Sequence, residues 1–285
     1  MSNYANRKTE FTAIIRRAIV YAFLLAIFIF TIMPLIWTWM ASLKTPAELK
    51  VNLFGIPQNG ITFDNIINAW VDGKMSVYFK NSIIVAICRV TMVVVISSLA
   101  GYAFAKLHFP GKHFFLMFFM IGMTIPIQAM IIPLFFNMSR LGLVNTYSAM
   151  IIPFLGISAP FGILIMRSFF MDIPDEIMEA AFIDGSGEFQ TFLKIVLPMA
   201  SPAVVSLVIF EFMFAWKEYL FPLIFVYEDA FRTLPVGLAN YKTQYTMDQS
   251  LTLAGVAISS VPIVIIYIIF RKQFVDGMTT GAVKG

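Results

Sequence analysis

EAAFIDGSGEFQTFLKIVLP, Glu179 to Pro198, is a charged, glycine-punctuated stretch set between two long apolar runs. Just upstream, Pro174 suits a first helical turn, where its missing N–H costs nothing. Asp175 and Glu176 put carboxylates where a helix N-terminus favours them. Ile173, Ile177, Ala180 and Ala181 recur at helical spacing, as do Met178 and Phe182. Gly185 is a natural residue to end that helix, because glycine enters the left-handed region without penalty. Ser186 suits the cap of a second helix. There Phe189, Phe192, Leu193, Val196 and Leu197 fall at i, i+3, i+4, i+7 and i+8, and Pro198 is expected to stop it. The stretch therefore reads as a short helix, a glycine turn and another short helix. Ala180 and Ala181 let a partner surface approach closely; an ordinary helical hairpin packed under a membrane bundle fits the same pattern.

Outward from this hairpin the chain is mostly apolar. Of 285 residues, 59% are hydrophobic and 13% charged, and the mean hydropathy is +0.83. A soluble domain of this size cannot hide that much apolar surface, so an integral membrane protein is expected. The net charge of +4 fits basic cytoplasmic flanks and gives no reason to expect nucleic acid. The one cysteine, Cys88, sits inside an apolar run and is expected to be a buried thiol.

A helix needs about 20 mostly apolar residues to cross the hydrocarbon. Six segments qualify: 15–41, 80–106, 113–136, 147–170, 203–226 and 251–272. The fold class expected is all-α, a polytopic membrane protein with six transmembrane helices. The first run, Ile19 to Met40, is too long for a signal-peptide core and is expected to be retained. Eleven Lys and Arg residues then fall on one side and seven on the other, which puts both termini and the 171–202 loop in the cytoplasm. Externally, residues 42–79 hold an amphipathic piece around Phe63, Ile66, Ile67 and Trp70. The polar 227–250 loop offers Phe231, Leu234, Tyr241 and Tyr245 as apolar anchors for a partner; a plain solvated connector is the competing reading.

No G-x-x-x-x-G-K-[ST] occurs, so the chain is not expected to cradle a nucleotide itself. His108 and His113 flank a turn with no cysteine or carboxylate beside them, and no metal or other cofactor is expected. Charges inside spans are costly and mark functional candidates. Arg89 lies in the second expected span; Glu211, Lys217 and Glu218 lie in the fifth. Arg89 paired with a glutamate inside the bundle and a place beside a pore are both open. Trp216, Lys217, Glu218 and Tyr219 are expected to line the outer half of a path, with Gln128, beside the Pro126 break, sharing the cavity. Lys217 and Glu218 paired to a partner subunit is the alternative.

The hairpin resembles the EAA loop of bacterial ABC importer membrane subunits. That pattern is E-A-A, three residues, G, nine residues, then I-x-L-P. Glu179, Ala180, Ala181, Gly185, Ile195, Leu197 and Pro198 keep every spacing, and Asp184 agrees. Trp216 to Pro222 resembles the W-N-[DE]-[FY]-L-x-P stretch of sugar-importer permeases, with Lys217 where asparagine is usual. Asn81-Ser82 and the tail FVDGMTTGAVKG, with Thr279, Gly281, Val283, Lys284 and Gly285, resemble the maltose-permease G-like family.

The resemblance implies a membrane permease subunit of a sugar importer that does no covalent chemistry. It implies a first part over 1–74, a five-span core over 75–272 and a tail over 273–285. Its partners would be a second, related permease, two cytoplasmic ATPase subunits, an extracytoplasmic sugar-binding protein, the sugar and membrane lipid. The hairpin would dock on an ATPase, the tail would reach between the ATPases, and the 227–250 loop would meet the binding protein. An ion-coupled secondary transporter is the alternative class, although no inverted repeat is visible.

Overall fold

A computed structural model describes the backbone of residues 2–241 and 248–282, and the side chains of 14–241 and 248–273. Among the described residues it is helical, without strands. The helices run α1 Ser2–Ser42, α2 Pro46–Val51, α3 Asp64–Val71, α4 Met75–Lys106, α5 Lys112–Gly122, α6 Ile127–Arg140 and α7 Tyr147–Met171. They continue as α8 Asp175–Ile183, α9 Glu188–Thr191, a π turn Phe192–Val196, α10 Leu197–Met199, α11 Ser201–Trp216, α12 Leu220–Phe225, α13 Leu234–Asn240 and α14 Gln249–Ala282. Among the described residues four helical stretches are long and apolar enough to cross a membrane: Ile14–Ser42, Met75–Lys106, Tyr147–Met171 and Gln249–Gln273. The number rises to as many as six if the two bent pairs, Lys112–Gly122 with Ile127–Arg140 and Glu188–Met199 with Ser201–Trp216, each count as one.

The chain divides into two compact units, Met1–Gly73 with Tyr241–Ile258, and Lys74–Asn240 with Ser259–Gly285. In the first, a folded loop follows α1. Thr45 accepts from the Glu48 N–H at 3.3 Å and Pro46 opens α2, a standard start for a short helix. Two charges are buried in this loop, and both are matched. Lys44 Nζ donates to the Asn52 carbonyl at 2.6 Å, and the Glu48 carboxylate accepts from the N–H groups of Gln58 and Asn59. α3 buries Asn65, whose amide donates to the carbonyls of Ser42 and Lys44, and leaves Phe63, Ile67 and Trp70 exposed.

The second unit is built on α4, α7 and α11. Within hydrocarbon, helices gain little by hiding apolar surface from one another, so close packing of small residues must hold them. The α4–α7 seam shows this. A Cβ at Gly162 would lie 2.2 Å from the Ser97 hydroxyl, so only glycine permits the approach.

The expected break at Pro126 is sharp: α5 and α6 meet at 98°, and Pro126 opens α6 with extended backbone. Four expectations change here. The fifth segment ends at Trp216, before a non-helical Lys217–Tyr219 link and α12. Ser186 does not cap the second hairpin helix; Gly187 occupies that position without a side-chain bond. Pro198 does not stop it either. Proline has no N–H for the Lys194 carbonyl and its ring crowds that carbonyl. The Leu197 N–H bonds to the Phe192 carbonyl instead, widening the helix into a π turn that carries it past the proline to Met199. Lastly, Cys88 is exposed, on the outer face of α4.

Candidate functional site

The hairpin α8–α10 has one face fastened to the bundle and one face free. α8 closes on two bonds: the Gly185 N–H donates to the Phe182 carbonyl at 3.0 Å and the Ser186 N–H to the Ala181 carbonyl at 2.9 Å. This double bond pattern needs a left-handed residue, and Gly185 has φ +83°. Met178, Phe192 and Val196 pack with Tyr102 and Phe170 in one cluster, and Ala181 is also buried. Glu179, Ala180, Asp184, Gly185 and Pro198 are exposed, and Ile195 and Leu197 are half-buried. The motif residues thus divide between the two faces. The free face also carries apolar residues that its motif does not specify: Phe182, Phe189, Leu193 and, at the turn, Ile183, which is 86% exposed.

Two side chains, Tyr102 and Lys106, join the hairpin to the end of α4 through three hydrogen bonds. Lys106 Nζ donates to Asp175 Oδ1 and to the Ile173 carbonyl, both at 2.5 Å, and the Tyr102 hydroxyl donates to Glu188 Oε2 at 3.1 Å. The bond from Lys106 holds the Asp175 carboxyl below its ordinary range. Asp175 was expected only as a carboxylate at a helix start; its pairing with Lys106, and that of Tyr102 with Glu188, were not expected from the sequence. The available signal was Tyr102 and Lys106 at i, i+4 on a helix end, facing acidic first turns of α8 and α9.

The expected path residues separate. Trp216 is buried. Its indole stacks on Phe212, meets Phe79 edge-on and donates to the Ser259 carbonyl at 3.0 Å. Its flat faces are therefore covered, contrary to the expected exposure to a path. The carboxylate of Glu218 is engaged as well: Oε1 accepts from the N–H groups of Leu220 at 2.8 Å and Phe221 at 3.1 Å, starting α12. Lys217 and Tyr219 are exposed, with the Lys217 ammonium 4.9 Å from the Phe214 ring centre. Gln128 is exposed in the first turn of α6, next to Ile127, which packs on the cluster containing Phe221.

The external anchors are also largely spent. Phe231 is half-buried against Tyr147, edge-on at 5.2 Å, and Leu234 is buried. Tyr241 is half-buried and its hydroxyl donates to the Gly73 carbonyl at 2.6 Å. Tyr245 lies outside the described residues. The 227–240 part is a folded segment rather than a solvated connector, held by Lys74, Asp229 and Arg232. Tyr227, which the sequence reading passed over, is 63% exposed there. Of the tail residues, Thr279 and Gly281 lie in α14, and Val283, Lys284 and Gly285 lie outside the described residues.

The bent α9–α11 course following a glycine-turn hairpin lies within a region that matches a protein family. Residues 93–278 match the family described as binding-protein-dependent transport system inner membrane component. The chain belongs to that family. It is 36% identical over 268 residues to the arabinooligosaccharides transport system permease protein of Halalkalibacterium halodurans, covering 93% of this chain and 94% of the relative. It is 35% identical over 266 residues to a probable ABC transporter permease of Bacillus subtilis (strain 168), covering 93% and 88%. It is 32% identical over 273 residues to the trehalose transport system permease protein of Mycobacterium tuberculosis, covering 95% and 99%. Among solved structures, the fold of this inner membrane component is similar to a chain of a bacterial ABC transporter involved in the import of the acidic polysaccharide alginate. The TM-score is 0.79 at 24% identity, with 90% of this chain and 96% of that chain covered.

Proposed function

We propose that the chain is a membrane-spanning permease subunit of an ATP-driven sugar importer, with oligosaccharides as the favoured substrate class. The observation that carries this is the hairpin: a glycine-closed turn presenting Glu179, Ala180 and the exposed Ile183, in a chain whose relatives are named as carbohydrate permeases. A free face with an exposed apolar residue, Ile183, fits a cleft on another protein, as interface anchors do. The partner below is a pair of cytoplasmic ATPases, which carry all the hydrolysis. A second, related permease forms the other half of the path, and an extracytoplasmic sugar-binding protein delivers the substrate.

In this reading the protein sits in the bacterial inner membrane with six spans, each bent pair counting as one. Both termini and the hairpin are cytoplasmic, and residues Thr279 to Gly285 reach the ATPases. Lys217, Tyr219 and Gln128 are the residues left to face the path. ATP binding would draw the hairpins together and shift the spans toward an outward-open state. The test is a cysteine at Ile183 in a Cys88→Ser background, crosslinked in the assembled complex. Capture of the ATPase, together with binding-protein-dependent uptake of a radiolabelled arabinooligosaccharide or trehalose, supports the assignment. Uptake driven by an ion gradient without ATP would sink it.

A further inference from the structure

The hairpin is joined to the bundle by chain links that bend. α8 leaves α7 through the Asp172–Pro174 turn, and α10 meets α11 at 77°. Neither link is a straight rod. The side chains of α4 supply a stiffer connection, because they grip both hairpin helices from one helix face. Tyr102 and Lys106 are one turn apart, and each reaches the first turn of a different hairpin helix, Glu188 of α9 and Asp175 of α8.

We propose that Tyr102 and Lys106 are positioning residues that fasten the coupling hairpin to α4, so that movement of the hairpin is delivered to the bundle through α4. This rests on the reading of the hairpin as the ATPase-facing element. An exposed ion pair would be too weak for such a task. The Asp175 side chain is 76% exposed, so the ion pair alone is not the grip. The Lys106 side chain is 6% exposed, and its ammonium also donates to the Ile173 backbone carbonyl. Removing it leaves the Ile173 carbonyl beside an apolar cluster without that donor. Tyr102 is 5% exposed, and its ring meets Phe192 at 5.0 Å and Phe170 edge-on at 6.0 Å, so its hydroxyl is aimed by packing. α7 is tied to the same end of α4, through the Arg167 Nε–H donating to the Phe104 carbonyl at 3.2 Å. The end of α4 is therefore the common anchor of the hairpin and its neighbouring span.

The experiment places spin labels at Ser186→Cys on the hairpin and Leu99→Cys on the exposed face of α4, in a Cys88→Ser background. Distances are read in the assembled transporter without nucleotide and with ATP and vanadate. In the parent protein the hairpin-to-α4 distance should change by less than about 2 Å on adding nucleotide, the scale of rigid helix shifts. In Tyr102→Phe with Lys106→Met the distribution should broaden about twofold and the distance should then change with nucleotide. Lys106→Arg should restore the narrow distribution, which a folding defect would not. A parent hairpin that slides on α4, or a double variant with an unchanged distribution, overturns the proposal. Failure of the ATPases to co-purify with the parent protein would instead overturn the reading of the hairpin, and the clamp is then judged on the nucleotide-free distributions alone.

Discussion

Arg89 on α4 and Glu211 on α11 face each other at 3.7 Å, each side chain only 1% exposed. Arg89 also donates to the Ser158 hydroxyl at 3.3 Å, and its guanidinium lies over the Phe154 ring. α4, α7 and α11 are thus joined through one buried cation. Of the two roles open from the sequence, pairing inside the bundle is the one this geometry satisfies. Breaking a buried pair from one side leaves a stranded charge and costs about 3–5 kcal/mol, whereas replacing both partners is often neutral. Glu211→Leu should sharply lower the thermal stability of the purified transporter, and Arg89→Met with Glu211→Leu should recover most of it. A double variant no more stable than the single would show that the pair does more than balance charge.

Gly185 adopts φ +83°, and its surroundings are open, so backbone strain alone sets the cost of a side chain there. A β-branched residue in the left-handed region costs about 1–2 kcal/mol. Gly185→Val should reopen the α8 end and suppress ATP-driven uptake while the chain still inserts, whereas Gly185→Asn should be much milder. Membrane fractionation and uptake by vesicles check both. Equal uptake by the valine variant would mean that the turn geometry is unimportant.

How much of this was legible in the sequence depends on the reach of the forces involved. The Gly185 turn follows from local rules and is where they put it; α8 starts at Asp175, one residue after the Pro174 expected in its first turn. The bend at Pro126 had its signal in the proline, which does not by itself specify the 98° angle. The end of α11 at Trp216 was hidden because the apolar run LFPLIF resumes after only three residues, Lys217 to Tyr219, so the segment reads as one span. The Glu218 carboxylate, accepting from the Leu220 and Phe221 N–H groups, marks the break between α11 and α12. Trp216 was expected to line a path and Phe231 to anchor a partner as an apolar side chain. Both find partners far along the chain, Ser259 and Tyr147, which no local pattern encodes.

The outer segment should respond to acid but not to neutral pH. The bond from Lys74 holds the Asp229 carboxyl below its ordinary value of 3.8, and the same bond raises the Lys74 ammonium. A carboxylate with a lowered folded-state value adds stability above its unfolded value and loses it as pH falls through the folded one. A raised ammonium adds stability that is lost only as pH rises through its own folded value. A fluorophore at Tyr227→Cys, with Cys88→Ser, should therefore keep constant anisotropy between about pH 5 and 9 and lose it below about pH 4. A midpoint near neutrality would point to another titrating group.

Trp216, Lys217 and Tyr219 are neighbours in sequence but should behave as two classes. Trp216 is 3% exposed, and its ring and N–H are both satisfied within the chain. Removing so large a buried ring costs about 3–5 kcal/mol, so Trp216→Ala should lower the yield of assembled transporter whatever the substrate. Tyr219 is 41% exposed and Lys217 is exposed, and the link they occupy is non-helical. An aromatic face with a polar tip suits the CH surface of a sugar ring, and an ammonium can donate to its hydroxyls. Tyr219→Ala and Lys217→Ala should therefore leave assembly intact and change uptake unequally across neutral oligosaccharides. Losing one charge-assisted hydrogen bond should lower uptake of the preferred sugar about tenfold. Competition uptake by proteoliposomes, run beside size-exclusion profiles of the complex, separates the classes. If Lys217→Ala instead releases a partner subunit, the ammonium belongs to an interface and the path must be sought from Gln128 on α6.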